Sequence, residues 1–249
     1  MTLDLVFFAV AVPAVLFAGI SKGGFGSGAS FAATPALALI LDPAVALGLM
    51  LPLLMLMDFS ALRPYWGRWH WPSARALLIG GVPGVLLGLA LWRVADPDLF
   101  RFLIGAISIG FVVFQVGRAR GWIRPPAREM GTVAGIVTGA GAGFTTFVSH
   151  AGGPVAAVYL LSRRITKTEY QATTVVVFWI INLMKIGPYA GLGIITRDSL
   201  WANVLLAPVA VAGVFLGVWA HRAVPERVFF GLTYVFLVGA GLKLIWDAL

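Results

Sequence analysis

The sequence predicts an all-α protein that crosses a membrane several times and is built from two inverted repeats. Only 11% of its 249 residues are charged and 60% are hydrophobic, whereas a soluble domain carries roughly a quarter charged residues. Apolar runs of about twenty residues recur from end to end, and each is long enough to cross a hydrocarbon core of about 30 Å. Two glycine-rich, polar segments break this pattern, at residues 19–35 and 138–154. We call them the two interrupted segments.

The composition excludes several functional classes. Arginines in predicted cytoplasmic loops account for the net charge of +8, so we expect no nucleic-acid partner. The sequence contains no cysteine, which excludes disulfides and thiolate ligands. Its three histidines are scattered, so we predict no metal site and no cofactor. It also lacks a GxxxxGK[ST] motif, so the chain carries no ATPase of its own.

The first predicted repeat covers residues 1–117. Its apolar segment at 29–41 is too short to cross a bilayer. Asp42-Pro43 follows this segment and is typical of a helix N-terminus. Full spans are predicted at residues 3–20, 44–62, 74–94 and 99–117.

A linker at residues 118–130 separates the first repeat from the second, which covers residues 131–249. The linker contains four arginines and a Pro-Pro pair, as expected of a cytoplasmic connection. The second repeat has a short apolar segment at 155–162 and a predicted loop at 188–198. Its full spans are predicted at residues 131–148, 170–187, 200–220 and 228–246.

Matching residues indicate an internal duplication. The two interrupted segments align without a gap when Gly24 is placed on Gly143. Further along the chain, the matches are Asp58 with Asn182, Gly84 with Gly213 and Gly88 with Gly217.

Basic residues predict the orientation of the repeats. They concentrate in the loops at 63–75, 118–128, 163–167 and 222–227, which we therefore place in the cytoplasm. Equivalent loops of the two repeats then lie on opposite sides of the cell inner membrane, so the repeats are inverted and both termini are periplasmic. This topology needs an odd number of crossings in each repeat. We therefore predict broken or re-entrant helices at Ser21-Gly28 and Thr145-Gly153.

Paired broken helices near the middle of the bilayer are typical of secondary transporters, with the substrate bound between the repeats. Half-helices that begin at such a break direct free N–H groups and a positive dipole end into the gap, which favours an anion. Serine and threonine hydroxyls would add donors. Two plainer interpretations stay open: the glycines pack helices together, and the hydroxyls bond to their own helix backbone.

Charged residues inside the spans are the strongest candidates for function, because charge at membrane depth is costly. We expect Lys22 to compensate a bound anion, with Lys185 second and held by Asp58; a structural ion pair between Asp58 and Lys185 is the alternative. His150 is a candidate for proton coupling or anion binding. The candidate substrate-binding residues are Ser21, Lys22, Gly24, Phe25, Ser27, Ser30, Phe144, Thr145, Thr146, Ser149, His150 and Lys185, and the candidates for coupling or ion pairing are Asp58, Asn182 and His150.

At these segments the chain resembles the sulfite exporter TauE/SafE family. The resemblance rests on GISKGGFGSGASFAATP at residues 19–35, on TGAGAGFTTFVSHAGGP at residues 138–154, and on the duplicated architecture. It implies transport of small sulfur-containing anions such as sulfite or organosulfonates.

Three functional classes are consistent in principle with these segments. The first is a secondary anion transporter with alternating access around a site at the middle of the membrane. A passive anion channel would use the same polar segments. An intramembrane hydrolase would need Ser27 or Ser149 to contact His150, but adjacent helical residues such as Ser149 and His150 point about 100° apart. We expect no enzymatic activity. The oligomeric state stays open, with a homodimer as one alternative.

Overall fold

The computed structural model describes residues 2–25, 29–123, 128–223 and 226–249. Within these residues the secondary structure is helical. Eight helices, all except α2 and α7, are long and apolar enough to cross a bilayer, which confirms the predicted class of a polytopic all-α protein. The helices are α1 (Leu5–Ile20), α2 (Ala33–Ala38), α3 (Pro43–Tyr65), α4 (Trp71–Trp92), α5 (Pro97–Ala119), α6 (Thr132–Ser149), α7 (Gly152–Ser162), α8 (Lys167–Gly191), α9 (Arg197–Ala223) and α10 (Glu226–Asp247).

Side-chain caps define where several helices begin. The carboxylates of Asp4, Asp42 and Asp96 accept backbone N–H groups at 2.8, 2.9 and 2.7 Å. Thr166 and Glu169 form a reciprocal capping box at the start of α8. Each cap satisfies N–H groups that the first helical turn leaves without partners. The helix start predicted at Asp42-Pro43 is confirmed.

The first interrupted segment begins as a widened helical turn. Residues Ser21–Phe25 continue α1 as a π-helix, a local widening that is frequent at functional sites. Residues 26–28 lie outside the described part of the chain. A 3₁₀ turn at Ser30–Ala32 then leads into α2. Every residue from 29 to 38 is buried, so this short segment lies inside the protein.

The loop predicted at residues 188–198 is shorter than expected. α8 continues through Pro188 to Gly191, and α9 already begins at Arg197. A proline inside a helix removes one backbone hydrogen bond, but surrounding helices can support such a segment in a membrane protein. Here Tyr189, directly after the proline, is fully buried and anchors the last turn of α8.

Glycines bring α1 and α9 into direct backbone contact. A methyl group at Gly23 would lie 2.0 Å from the carbonyl oxygen of Val214, and one at Gly217 would lie 2.3 Å from that of Ile20. The same close approach recurs one turn earlier in both helices. Because the contacts advance together along the two helices, α1 and α9 run parallel. Only glycine allows backbones to approach this closely.

Glycines bring α4 and α6 together in the same way. A methyl group at Gly84 would lie 2.1 Å from the carbonyl oxygen of Ala140, and one at Gly143 would lie 2.5 Å from that of Gly81. These helices also run parallel. In both pairs, a helix from residues 1–117 packs on a helix from residues 131–249.

These contacts indicate a register for the predicted duplication. They make Gly23 equivalent to Gly143 and Gly84 equivalent to Gly217. The alignment from the sequence, Gly24 with Gly143 and Gly84 with Gly213, was off by one residue in one helix and by one turn in the other. The division into repeats around residues 118–130 stays a prediction, and the paired contacts support it.

The remaining long helices complete the arrangement. α5 and α10 run antiparallel, since Gly105 lies against Ile245 whereas Ile109, one turn later on α5, lies against Gly241, one turn earlier on α10. α3 is the most deeply buried of the spans that the structure describes, and it contacts α8 at the centre of the molecule. These directions agree with the predicted topology, in which α1 and α9 run towards the cytoplasm and α4 and α6 run outwards. The side on which the termini lie stays a prediction.

Candidate functional site

The second interrupted segment turns at His150, between α6 and α7. The backbone of His150 has φ 59° and ψ 11°, a left-handed conformation that costs an ordinary residue about 1–2 kcal/mol. Its N–H still donates to the carbonyl oxygen of Thr146 at 3.1 Å, which closes the end of α6. The imidazole is buried and points into the protein.

Hydrogen bonds determine which nitrogen of His150 carries a proton. Nε2 lies 3.1 Å from the carbonyl oxygen of Leu47 on α3, and a carbonyl oxygen can only accept. Nε2 is therefore protonated. Nδ1 lies 2.9 Å from Nζ of Lys185, so in a neutral imidazole Nδ1 accepts a hydrogen bond from the lysine.

Lys185 of α8 is fully buried, and its contacts are with uncharged groups. Nζ donates to the carbonyl oxygen of Thr146 at 2.8 Å and lies 5.4 Å from the centre of the Tyr189 ring. Among the described residues, no carboxylate forms an ion pair with it. An unpaired buried charge costs several kcal/mol. A lysine ammonium at this position is therefore a positive charge that a bound anion would compensate.

Lys22 of the π-helical turn lies in a different electrostatic setting. It forms a buried ion pair with Asp58 of α3, and its Nζ also lies 3.4 Å from the carbonyl oxygen of Leu54. Asn182 of α8 donates from Nδ2 to the other Asp58 oxygen at 3.3 Å. The expectation that Asp58 holds Lys185 was wrong, because Asp58 is paired with Lys22.

One small cavity connects the two interrupted segments. Its volume is about 20 Å³, which is room for roughly one water molecule. Residues of the first segment, of the second segment, of α3 and of α8 all reach it. Binding an anion of several atoms would therefore require these side chains to move apart. The lining residues are Lys22, Ser30, Leu54, Thr146, His150, Gly153, Phe178 and Asn182.

The family model described as Sulfite exporter TauE/SafE matches residues 11–244. The match includes both interrupted segments and every residue that lines the cavity. The chain belongs to the sulfite exporter TauE/SafE family. This confirms the resemblance noted from the sequence, and the family is one of membrane transporters. Searches among curated proteins and among solved structures found no significant match.

In this TauE/SafE protein, some of the predicted hydroxyl donors contact their own helix instead of the cavity. Thr145 donates to the carbonyl oxygen of Gly141 at 2.8 Å, and Ser149 donates to that of Thr145 at 3.0 Å. Ser21 is buried but does not line the cavity. Ser30 and Thr146 do line it.

The predicted glycine and phenylalanine candidates have packing roles or lie outside the described part. A methyl group at Gly24 would lie 2.1 Å from the carbonyl oxygen of Gly217, so this glycine serves the contact with α9. Phe144 contributes backbone to the contact with Gly84. Ser27 and the side chain of Phe25 lie outside the described residues.

Three residues that line the cavity were not singled out from the sequence. Gly153 belongs to the interrupted segment and could have been included from its position. Leu54 and Phe178 carry no such signal, because apolar residues fill every span. Leu54 lies one turn before Asp58 on α3, and Phe178 lies one turn before Asn182 on α8. Helical spacing from the predicted polar residues could therefore have identified both.

The contacts of His150 bear on the hydrolase alternative. Both ring nitrogens are occupied, Nε2 by Leu47 and Nδ1 by Lys185, while the Ser149 hydroxyl bonds to its own helix. Ser149 and His150 therefore do not form a nucleophile and base pair. The part of the chain that the structure describes also contains no group of three or more residues suited to a metal ion.

Proposed function

We propose that this TauE/SafE protein is a secondary transporter that binds a small anion in the cavity between its two interrupted segments. The observation that carries this proposal is the burial of Lys185 without an ion-pair partner among the described residues. Lys22 and Asp58 form an ion pair and together add no net charge. A protonated Lys185, whose partners Thr146 and His150 line the cavity, then gives the site one positive charge in excess, which one anion would balance.

The lining of the cavity suits an anion with several oxygens. Ser30 and Thr146 supply hydroxyl groups and Asn182 an amide group. Hydroxyl and amide groups donate directional hydrogen bonds that would orient the oxygens of an anion, while Lys185 supplies the positive charge. Sulfite and organosulfonates present such a cluster of oxygens, and membership of the TauE/SafE family supports this substrate class.

Alternating access is supported by the small volume of the cavity and by the pairing of helices. An anion larger than water does not fit the present volume of about 20 Å³, so substrate must enter in a different conformation. α1 with α9 and α4 with α6 are each held by backbone contacts and would move as units.

Counterflow in proteoliposomes tests the proposal. Vesicles loaded with unlabelled sulfite or thiosulfate should accelerate uptake of the labelled anion, because a carrier returns faster when it is loaded. Lys185→Met should abolish uptake, whereas Lys243→Met should not, since Lys243 is exposed and pairs with Asp247 far from the cavity. Uptake that internal anion fails to accelerate would indicate a channel. Absence of uptake and of binding for all tested sulfur anions would reject the proposal.

A further inference from the structure

We infer that each bound anion brings one proton into the protein, and that the hydrogen-bonded pair of Lys185 and His150 holds this proton. The inference rests on the proposed function, since it identifies the ion coupled to the anion at the same cavity. It follows from how many hydrogens the contacts of this pair can accommodate and from the charges around it.

Only one hydrogen can lie between the two nitrogen atoms of this contact. Nζ of Lys185 lies 2.9 Å from Nδ1 of His150, and one of the two nitrogens must act as the acceptor. The other ring nitrogen already donates to Leu47, and Nζ already donates to Thr146. The pair therefore exists either without net charge, with a neutral amine donating, or with a single added proton. Two positive charges across this contact would repel each other and leave no acceptor.

The other titratable groups that face this pair already have partners. Lys22 of the π-helical turn and Asp58 of α3 bind each other, so a proton added to Asp58 would leave Lys22 buried without its counter-ion. The hydroxyl group of Tyr189, on α8 itself, donates a hydrogen bond of 2.5 Å to the carbonyl oxygen of Phe147. The described residues of α4 and α7 place no charged side chain in contact with the pair.

The anion determines whether the added proton is stable. Because no carboxylate of the described residues forms an ion pair with Lys185, a positive charge here is costly while the cavity holds no anion. His150 and Thr146, the two partners of Lys185, both line the cavity, so an anion bound there lies next to the pair. Its negative charge favours the protonated form, and the proton favours the anion to the same extent. One monovalent anion and one proton together carry no net charge across the membrane.

Calorimetry on the purified, detergent-solubilised protein tests this linkage. The probes are thiosulfate and ethanesulfonate, because neither takes up a proton near neutral pH. Titrations in buffers of different ionisation enthalpy give the number of protons taken up per anion, and we expect about one. Where the free pair is unprotonated, affinity should fall by about tenfold for each unit of pH increase.

Three variants locate the proton. Lys185→Met should remove proton uptake together with most of the affinity. Lys185→Arg keeps a permanent charge and should bind the anion without proton uptake and with little dependence on pH. Asp58→Asn should still take up about one proton with each anion that it binds. Lys243→Met is the matched control and should behave like the wild type.

The possible outcomes distinguish failure of the proposed anion transport from failure of the proton linkage. If neither probe binds at any pH, the proposed function fails. If a probe binds without proton uptake and with the same affinity at every pH, the function stands and this inference is overturned. Uptake that disappears in Asp58→Asn and persists in Lys185→Met would place the proton on Asp58 instead. The wild-type measurement decides the linkage even where a variant does not fold.

Discussion

The two interrupted segments of this molecule are alike in packing and unlike in charge. In each, glycines press a helix against the backbone of a helix from the other repeat, α1 on α9 and α6 on α4. At the first segment, however, Lys22 is neutralised by Asp58. At the second, Lys185 contacts carbonyl oxygen, imidazole and an aromatic ring. The packing is duplicated, and the electrostatics are not.

One pair of positions matched in the sequence contributes to this difference. Asp58 of the first repeat aligns with Asn182 of the second, and the two side chains meet in a hydrogen bond. The first repeat thus supplies an acid where the second supplies a neutral amide. Lys22 lies against this acid and forms an ion pair with it, whereas Lys185 contacts uncharged groups.

The largest effect is expected from breaking the compensated pair. Asp58→Asn keeps the shape of the side chain but leaves Lys22 buried without its partner, which should lower the free energy of unfolding by about 3–5 kcal/mol. The double variant Lys22→Met with Asp58→Asn removes both charges and should recover most of that loss. Denaturant or thermal unfolding in detergent measures both. A single variant as stable as the wild type would contradict the assignment of the buried ion pair.

The next effect concerns the duplicated packing. Gly84→Ala and Gly217→Ala place a methyl group 2.1 and 2.3 Å from a carbonyl oxygen at equivalent contacts. Each should lower stability by about 1–3 kcal/mol or more, because backbone cannot move aside as a side chain can. Gly110→Ala, where an added methyl group meets open space, is the control. Very different losses at the two sites would argue that the contacts are not equivalent.

The smallest effect is expected on anion binding, when an acid is placed at position 182. Asn182→Asp places a carboxyl group one helical turn from Lys185 and next to Asp58, where its ionised form would balance a protonated Lys185 in place of the anion. Anion affinity should fall by about tenfold or more, which corresponds to about 1.4 kcal/mol. Asn182→Ser removes the amide without adding charge and is the matched control. Equal affinities in the two variants would show that the charge balance does not govern binding.

The fold was largely predictable because its signals are local. Apolar spans, the Asp42-Pro43 start and the two glycine-rich segments are all read from neighbouring residues. The register was less certain, because glycines recur every four residues in α4 and α9, so a slip by one turn matches almost as well. The partner of Asp58 could not be predicted from the sequence. Lys22 and Lys185 are both within reach of such a site in principle, and only the crossing of α3 with the π-helical turn selects Lys22.

The exchange of helices between the repeats also constrains biogenesis. α1 enters the membrane early, yet the glycine face that it presents is covered by α9, which is synthesised near the end of the chain. α4 likewise depends on α6. Until the second repeat is inserted, the first has two flat, backbone-exposing helix faces that only lipid can cover. We therefore expect tertiary assembly to begin late and to involve both repeats at once, so that residues 1–117 produced alone would insert as helices without acquiring the native arrangement.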